Sequence, residues 1–435
     1  MTKKTLIFII GLLILAALAG GAYWYFLIRT PDMGPVGNNS SSNNNSGGFS
    51  PISRPASQNN NATSTNIEPT EEPTPTETPV KSKPKTLRLI SNTPVGGYGT
   101  ITTSTTTIIR WTDRGRGNVY ETTGETNEVT TLSNTILPRI YSSTWNKTAT
   151  SFIANILESD GSEFSTIFAE MKARPSDKQA TTSTSTDLSI ATKYELKGKE
   201  LPKNIITIAT SPRKDKIFFI VNESGRGKGY VSTFDGKNIV KIFETPLTEL
   251  VAEWPTENTI NIITKPNANT YGFMYKTDPK TGKWSKIISG LPGMQAKMNH
   301  DGKYVLISVS GSNNDVVTTI YNVQKNTGAS TIIKTLADKC IWGNTYKNIA
   351  YCAVPSQLPK ADYPDDWYKG TITTSDKIWQ INADTGEIHL ISSIVDTSDR
   401  QIDAYNLFLD EKDNYLLFMN KRDLSFWSLD LTATN

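Results

Sequence analysis

The stretch Tyr304-Val305-Leu306-Ile307-Ser308-Val309 is one of seven short apolar segments that look alike along the chain. Their first residues are 43 to 45 residues apart in four of the six intervals and 66 residues apart in the other two. A period of about 40–45 residues is typical of the four-stranded blade of a β-propeller. Each long interval contains an insertion, residues 174–187 or residues 355–376, so the period is preserved. The other six segments begin at Thr107, Ser151, Ile217, Ile260, Ile349 and Tyr415.

Each apolar segment is preceded and followed by the same kinds of strands and turns. In the sixth unit it is followed by an aromatic strand (Ile378-Trp379), a turn ending in glycine (Thr385-Gly386) and a further strand (residues 389–392). Glycine, Asp or Asn in such turns supplies the positive φ that tight hairpins require. A fourth strand precedes each segment, as residues 404–409 precede the last one. The order predicts four strands per unit, and in the fifth unit it predicts a closing strand at residues 331–335.

The two ends of this repeated region complement each other. The last apolar segment is followed by one further strand, within residues 424–431, and by no candidate for a closing strand. Residues 86–91 match the closing-strand pattern of residues 388–392. We expect this amino-terminal strand to complete the last blade, which hides sheet edges that would otherwise pair with other chains. The predicted fold of residues 86–435 is therefore all-β: a seven-bladed β-propeller closed by its amino-terminal strand.

The repeated units resemble the WD40-like and TolB-like propeller repeats of bacteria, in which turn, apolar strand, aromatic strand, glycine turn and strand recur. The resemblance covers about residues 86–431. It implies a domain that binds partners, because the propeller fold itself carries no activity. The Gly-His and Trp-Asp signatures of WD40 repeats are absent, and Trp427-Ser428-Leu429-Asp430 is only an echo of them. The resemblance therefore implies no specific partner.

Residues 5–28 form an uncharged stretch near the amino terminus. As a helix it would be about 36 Å long, enough to cross a hydrocarbon core of about 30 Å. Lys3 and Lys4 precede it, so the positive-inside rule places residues 1–4 in the cytoplasm and everything after residue 30 outside. We predict an uncleaved signal anchor, which makes the chain a single-pass protein of the cytoplasmic membrane. The alternative is a cleaved signal peptide, since Ala17-Leu18-Ala19 has the small-x-small form of a cleavage site.

Residues 29–85 contain almost nothing to bury. Residues 38–48 are nearly all Asn, Ser and Gly, and residues 68–84 are rich in Pro, Thr, Glu and Lys. Such a composition cannot offset the entropy of ordering, so we predict a disordered linker. One interpretation is a tether that lifts the domain off the membrane through a cell-wall layer, and the other is a passive connection.

The composition excludes several classes of function. The net charge of +3 over 435 residues gives no sign of nucleic-acid binding. Two cysteines and two histidines are too few for a cysteine-built or multi-histidine metal centre, and no motif indicates a cofactor. Cys340 and Cys352 fall on the first and second strands of the sixth unit, opposite each other in a simple hairpin. A cross-strand disulfide outside the cytoplasm and two reduced, buried thiols are the alternatives.

The insertion at residues 355–376 contains the densest group of candidate binding residues. Aromatic rings beside carboxylates suit sugars or basic peptides, through stacking and polar contacts. The alternative is that Trp367 and Tyr368 pack the insertion over the channel mouth while the aspartates face water. The candidates are Asp362, Tyr363, Asp365, Asp366, Trp367 and Tyr368.

A second candidate group consists of Arg114, Arg116, Arg226 and Lys228, in loops between second and third strands. The order of strands in each unit predicts that these loops gather at one end of the channel, together with the 355–376 insertion. Four cations there could hold an acidic partner such as an anionic wall polymer. Solvated tips of Gly-rich hairpins explain the same residues without a partner. The 174–187 insertion lies between a third and a fourth strand, so we expect it at the opposite end.

These observations favour a non-catalytic module that binds a protein or glycan, or acts as a scaffold, at the cell surface. A hydrolase of envelope or extracellular glycans is the first alternative, but it needs paired carboxylates, and no sialidase-type box repeats in the sequence. A subunit of an envelope complex, with the membrane helix as a partner surface, is the second. Convergent acidic groups in the channel would favour the enzyme, and an aromatic patch on one rim would favour the binding module.

Overall fold

The structure is a computed structural model that describes residues 87–161, 163–174 and 192–432. All of them belong to one compact unit, Lys83–Asn435. The predicted segments 1–4, 5–28 and 29–85 lie outside the described residues, as does most of the 174–187 insertion. Within the ranges described, no helix is long and apolar enough to cross a membrane.

The described residues contain 28 strands, which form seven antiparallel sheets of four strands each. Strand β1 (Leu87–Ser91) comes first in the chain and belongs to the last blade. Blade 1 comprises β2 (Val95–Thr102), β3 (Thr107–Asp113), β4 (Val119–Thr123) and β5 (Thr130–Ser133). Blade 2 comprises β6 (Ile140–Trp145), β7 (Ser151–Leu157), β8 (Phe164–Ala173) and β9 (Tyr194–Glu200). Blade 3 comprises β10 (Ile205–Thr210), β11 (Lys216–Glu223), β12 (Arg226–Thr233) and β13 (Val240–Thr245).

The remaining blades follow the same order. Blade 4 comprises β14 (Leu250–Thr256), β15 (Thr259–Thr264), β16 (Tyr271–Thr277) and β17 (Trp284–Pro292). Blade 5 comprises β18 (Gln295–Met298), β19 (Tyr304–Ser310), β20 (Val316–Asn322) and β21 (Thr327–Ser330). Blade 6 comprises β22 (Cys340–Trp342), β23 (Ile349–Pro355), β24 (Asp376–Asn382) and β25 (Ile388–Ser392). Blade 7 comprises β26 (Ala404–Leu409), β27 (Tyr415–Asn420), β28 (Phe426–Asp430) and β1.

All seven apolar segments form the second strand of a blade, as predicted. A second strand has a hydrogen-bonded neighbour on both sides and a neighbouring blade on both faces, so apolar side chains are favoured on both of its faces. In β27 every residue is buried. The neighbouring side chains Ile262 and Ile263 point to opposite faces of β15 and join different hydrophobic clusters. The core therefore lies between the blades.

The predicted closure of the ring is confirmed. Strand β1 pairs antiparallel with β28, with Leu87 opposite Leu429 and Leu89 opposite Trp427. Leu87 and Leu89 also pack against the hydrophobic cluster that contains both partners. The amino-terminal strand thus supplies the outermost strand of the last blade.

The predicted closing strand of blade 5 is wrong in position. The structure places it at β21, residues 327–330, instead of residues 331–335. Asn326 adopts a φ of 54°, so the hairpin turn is completed by asparagine one residue before Thr327-Gly328. Residues 331–335 instead cross to blade 6, where the hydroxyl of buried Thr335 donates a hydrogen bond of 2.6 Å to the carbonyl of Ala353.

Within the described residues, three short helical segments accompany the strands: a 3-10 turn (Ala337–Lys339), α1 (Asp365–Lys369) and α2 (Ile394–Ser398). Helix α1 lies inside the 355–376 insertion and ends at Gly370, whose φ of 75° is the left-handed conformation that commonly ends helices. The first strand of each blade is the innermost one: β2 lies beside β6 of the next blade, and β10 lies beside β14. The first strands surround the channel. We call the end that carries the connections between second and third strands the loop face.

Candidate binding face

The 355–376 insertion packs onto the ring through its aromatic side chains. Trp367 is buried, and its Nε1 donates a hydrogen bond of 3.1 Å to the carboxylate of Asp403, just before β26. Tyr363 is buried as well, and its hydroxyl donates to the carbonyl of Pro359 at 2.7 Å. Tyr368 is 41% exposed. Of the three predicted aromatic candidates, only Tyr368 therefore offers a substantial part of its ring to a ligand.

The three aspartates of the insertion that were predicted as binding residues hold loops in place. Asp365 accepts hydrogen bonds from the side chain of Asn267 at 2.9 Å and from the backbone N–H of Ala268 at 2.6 Å. Asp366 accepts the backbone N–H of Asp362 at 2.9 Å, and the Asp362 carboxylate accepts from Asn314 at 3.1 Å. These carboxylates connect blades 4, 5 and 6 on the loop face.

Beneath the insertion lies a buried ion cluster that the sequence analysis missed. The ammonium of Lys339 contacts Asp376 at 2.8 Å, Thr374 Oγ1 at 2.9 Å, and Asp403. All four side chains are buried, and Thr374 also donates its backbone N–H to Asp403 at 3.1 Å. The signal available in the sequence was a lysine next to apolar residues just before an innermost strand.

The two carboxyl groups of this cluster have opposite pKa shifts. Burial raises the pKa of Asp376, and the neighbouring charge of Asp403 adds to the effect against the opposing pull of Lys339. Burial also opposes ionisation of Asp403, but Lys339 and the hydrogen bonds from Trp367 and Thr374 outweigh it and hold the pKa of Asp403 below its usual value. The cluster fixes the middle and the carboxyl-terminal end of the insertion to blades 6 and 7, so the loop face is preorganised here.

The four predicted basic residues lie on the loop face but differ in their partners. Arg226 forms an ion pair with Glu244 at 2.5 Å, and Lys228 forms one with Glu223 at 2.6 Å. Both pairs are within blade 3, so these cations are neutralised by their own hairpin. Arg114 and Arg116, in blade 1, form no ion pair with any residue that the structure describes.

Arg114 and Arg116 belong to a surface group that we call the rim patch, together with Arg139, Tyr141 and Phe164. The Arg114 guanidinium lies 4.9 Å from the centre of the Tyr141 ring, which in turn lies 4.9 Å from the Phe164 ring. Tyr141 is 54% exposed and Phe164 is 49% exposed. The backbone N–H of Arg139 donates to the carbonyl of Gly115, between the other two arginines. The Arg114 guanidinium also donates a hydrogen bond of 3.1 Å to the carbonyl of Ile140, so Arg114 is half-buried while the other four side chains of the patch are exposed.

Two further observations characterise the rim patch. Arg139 has a φ of 63°, a left-handed conformation that is strained for a residue with a Cβ atom and that clusters at functional sites. A surface cavity of roughly 550 Å³ adjoins the patch and is lined by Arg114, Arg116 and Tyr120, among others. Arg139, Tyr141 and Phe164 were missed because they come from the connection before β6 and from the starts of β6 and β8, which only the fold brings next to Arg114.

A second polar group lies on the channel side of blades 4 to 6, and we call it the channel-mouth cluster: Glu253, Gln295, Lys297, Asp338 and Tyr368. The Lys297 ammonium is 3.9 Å from Glu253 Oε1 and 4.0 Å from Asp338 Oδ1. Burial, with a contribution from the charge of Asp338, raises the pKa of Glu253 to about 7 despite the opposing charge of Lys297. No group of three or more His, Cys, Asp or Glu side chains suited to a metal ion occurs within the described ranges.

Cys340 and Cys352 face each other across β22 and β23, in the predicted register. Their sulfur atoms are bonded, and both side chains are buried. The bond joins the two inner strands of blade 6 directly beside Lys339.

The geometry defines a seven-bladed β-propeller with a structured loop face. No protein-family model and no curated protein matches the chain. Among solved structures, TolB from Acinetobacter baumannii is similar over 72% of this chain and 59% of its own, with 10% identity and a TM-score of 0.38. The chain thus spans about three fifths of TolB.

Two further solved structures are similar over a larger share of their own length. Oligogalacturonate lyase from Vibrio parahaemolyticus matches 80% of this chain and 98% of its own, with 10% identity and a TM-score of 0.44. The β-propeller domain of the trilobed protease from Pyrococcus furiosus matches 78% and 95%, with 10% identity and a TM-score of 0.47. At such identity these likenesses concern the fold alone, and the number of blades here rests on the seven sheets of this chain.

Proposed function

We propose that this protein is a membrane-anchored, extracytoplasmic binding module whose loop face holds an acidic protein or glycan partner at the cell surface. The anchor is the uncharged stretch of residues 5–28, and residues 29–85 connect it to the propeller. The bond between Cys340 and Cys352 supports an oxidising location, because such bonds are rare in the cytoplasm.

The rim patch is the observation that carries this proposal. Tyr and Arg are enriched where proteins bind partners, since a large ring or a planar guanidinium contributes much contact at little entropic cost. Here two rings, each about half exposed, lie beside a loop region with three arginines that have no ion-pair partner within the described part of the chain, and one of these, Arg114, lies over the Tyr141 ring. Guanidinium groups bind carboxylates and phosphates in a two-pronged geometry, so the patch selects acidic groups.

The experiment compares wild-type and variant propellers that begin at residue 83, which retain all seven sheets. Arg116→Glu with Arg139→Gly reverses or removes two charges, and glycine relieves the positive φ at position 139, so the fold is retained. Binding to cell-envelope fractions is measured by biolayer interferometry at low and at physiological salt. We expect at least about tenfold weaker binding by the variant and a smaller dependence of its affinity on salt.

Tyr346→Ala is the matched control, because Tyr346 is an aromatic residue that is 62% exposed in a turn between first and second strands, on the opposite face. It should bind as the wild type does. Equal binding by the wild type and by the Arg116/Arg139 variant would refute the assignment of the rim patch. Deletion of residues 355–376 is not a suitable test, since it would remove Asp376 and Trp367 from the interior.

A further inference from the structure

Lys297 has an unusual position in the channel-mouth cluster, at the opposite side of the ring from the rim patch. Its ammonium lies between Glu253 and Asp338, but 3.9 and 4.0 Å are too long for hydrogen bonds. No acceptor among the described residues bonds to its three N–H groups. The side chains of the three residues are 22 to 39% exposed, so the cluster is open to solvent.

The walls of the cluster are held rigidly. Gln295 is buried, and its amide donates to the Tyr368 hydroxyl at 2.7 Å while its carbonyl accepts from Ser308 at 3.0 Å. The Tyr368 hydroxyl in turn donates to Asp338 Oδ2. This leaves Asp338 Oδ1 directed towards Lys297. Side chains locked by buried hydrogen bonds are the arrangement that a specific binding site needs.

A buried amide adjoins one of these carboxylates. Asn261 lies directly opposite Glu253 on the neighbouring strand and is fully buried. A hydrogen bond from its side chain lowers the pKa of Glu253 against the effect of burial. Buried polar groups are nearly always paired, so a ligand that covers these carboxylates and Lys297 has to offer them a polar group from the channel side.

The charges of the cluster restrict what that group can be. An anionic group would be repelled by the carboxylates of Glu253 and Asp338, and a cationic group would be repelled by the ammonium of Lys297. A hydroxyl group meets both requirements, since it accepts a hydrogen bond from an ammonium and donates one to a carboxylate. Neighbouring hydroxyls would bridge Lys297 to both carboxylates, and the partly exposed ring of Tyr368 offers a face for stacking.

We propose that the channel-mouth cluster binds adjacent hydroxyl groups of an uncharged sugar, with Lys297 as the donor and Glu253 and Asp338 as the acceptors. This site is separate from the rim patch in residues, charge and position on the ring. A glycan that reaches both would be bound by its acidic groups on blades 1 and 2 and by neutral sugars at blades 4 to 6.

The test uses the full-length chain in lipid nanodiscs, which avoids sugar-based detergents. Calorimetry at pH 7.5 measures binding of cellohexaose, mannohexaose and N-acetylchitohexaose, with oligogalacturonate as the anionic comparison. We expect at least one neutral oligosaccharide to bind. Lys297→Met, which keeps the apolar stem and removes the donors, should weaken that binding by at least about tenfold.

Two further variants separate the outcomes. Tyr368→Phe keeps the ring but releases Asp338 and Gln295, and should weaken binding of the neutral sugar by about three- to tenfold. Arg116→Glu with Arg139→Gly should leave it unchanged, so failure of the rim patch and failure of this site are distinguishable. Thermal melting confirms that each variant is folded. Absence of binding by all three neutral oligosaccharides at millimolar concentration, or unchanged binding by folded Lys297→Met, would overturn the proposal.

Discussion

Replacement of Lys339 by methionine tests whether the buried ion cluster holds the insertion on the ring. The Lys339 side chain is 1% exposed, and its ammonium contacts the carboxylates of Asp376 and Asp403. Methionine has an unbranched apolar side chain that adapts to irregular space, so Lys339→Met removes the charge with little change in packing.

The expected loss of stability follows from the number of charges left behind. Removal of one partner from a buried ion pair costs about 3–5 kcal/mol, because an uncompensated charge remains. Here two carboxylates lose the same cation, which places the loss at the upper part of that range. Asp403 still accepts hydrogen bonds from Trp367 and Thr374, and these offset part of it. We therefore expect the free energy of unfolding to fall by about 3–5 kcal/mol at pH 7.5.

The loss should depend on pH in a defined direction. Without Lys339, burial and mutual repulsion raise the pKa of both carboxyl groups in the folded state above that in the unfolded state. The folded variant then binds more protons than the unfolded one, so its stability increases as the pH falls. The deficit of Lys339→Met relative to wild type should therefore be smaller at pH 5.5 than at pH 7.5.

Urea-induced unfolding at both pH values, followed by tryptophan fluorescence and circular dichroism, measures these quantities. Lys421→Met is the control, because the Lys421 ammonium lies 5.3 Å from the Trp367 ring but is only partly buried. Lys421→Met should lower the free energy of unfolding by less than about 1 kcal/mol. A loss below about 1 kcal/mol for Lys339→Met, or a deficit that does not change with pH, would refute this account of the cluster.

Two further predictions concern blade 6 and the channel. Cys340→Ser with Cys352→Ser should lower the free energy of unfolding by about 3 kcal/mol, because the disulfide closes a short loop. Wild-type protein treated with reductant should unfold at the same urea concentration as this variant. A wild-type protein whose unfolding does not respond to reductant would contradict the prediction. Burial, with Asp338 adding to it, raises the pKa of Glu253 from 4.5 to about 7, so the stabilisation from its protonated form is complete below about pH 4.5 and is lost as the pH rises through 7. As the pH rises from 4.5 to 8, the free energy of unfolding of Glu253→Gln should therefore increase relative to that of wild type, by up to about 3 kcal/mol in urea unfolding. A difference between the two proteins that stays constant over this range would contradict the raised pKa of Glu253.

The fold was predictable from the sequence because its signals are local and repeated. The second strand of a blade is covered on both faces, so the segment beginning at Tyr304 has five buried residues in succession, and the segment beginning at Thr107, although it contains Arg110, has no exposed residue. The closing strand was predictable because residues 86–91 and 388–392 share a pattern. The error at residues 331–335 has a local cause as well, since Asn326 could take the positive φ that glycine was expected to supply.

The candidate site was predictable only where its residues are consecutive. Arg114 and Arg116 were identified in one loop, but Arg139 joins them from the connection before β6 and Phe164 from the start of β8. The insertion was identified by its composition. Its composition did not reveal that the Trp367 side chain is hydrogen-bonded to Asp403, 36 residues further along the chain. Separation in sequence hides such contacts, because no local pattern records which loops a closed ring brings together.

The sequence by itself determined the number of blades, the strand that closes the ring and the opposing positions of Cys340 and Cys352. The tertiary structure decided that Lys339 is buried between two carboxylates, that the insertion is packed down, and that the rim patch and the channel-mouth cluster exist. The physical reason is that hydrophobic periodicity and turn conformation act over a few residues, whereas charge pairing and exposure depend on distances between blades.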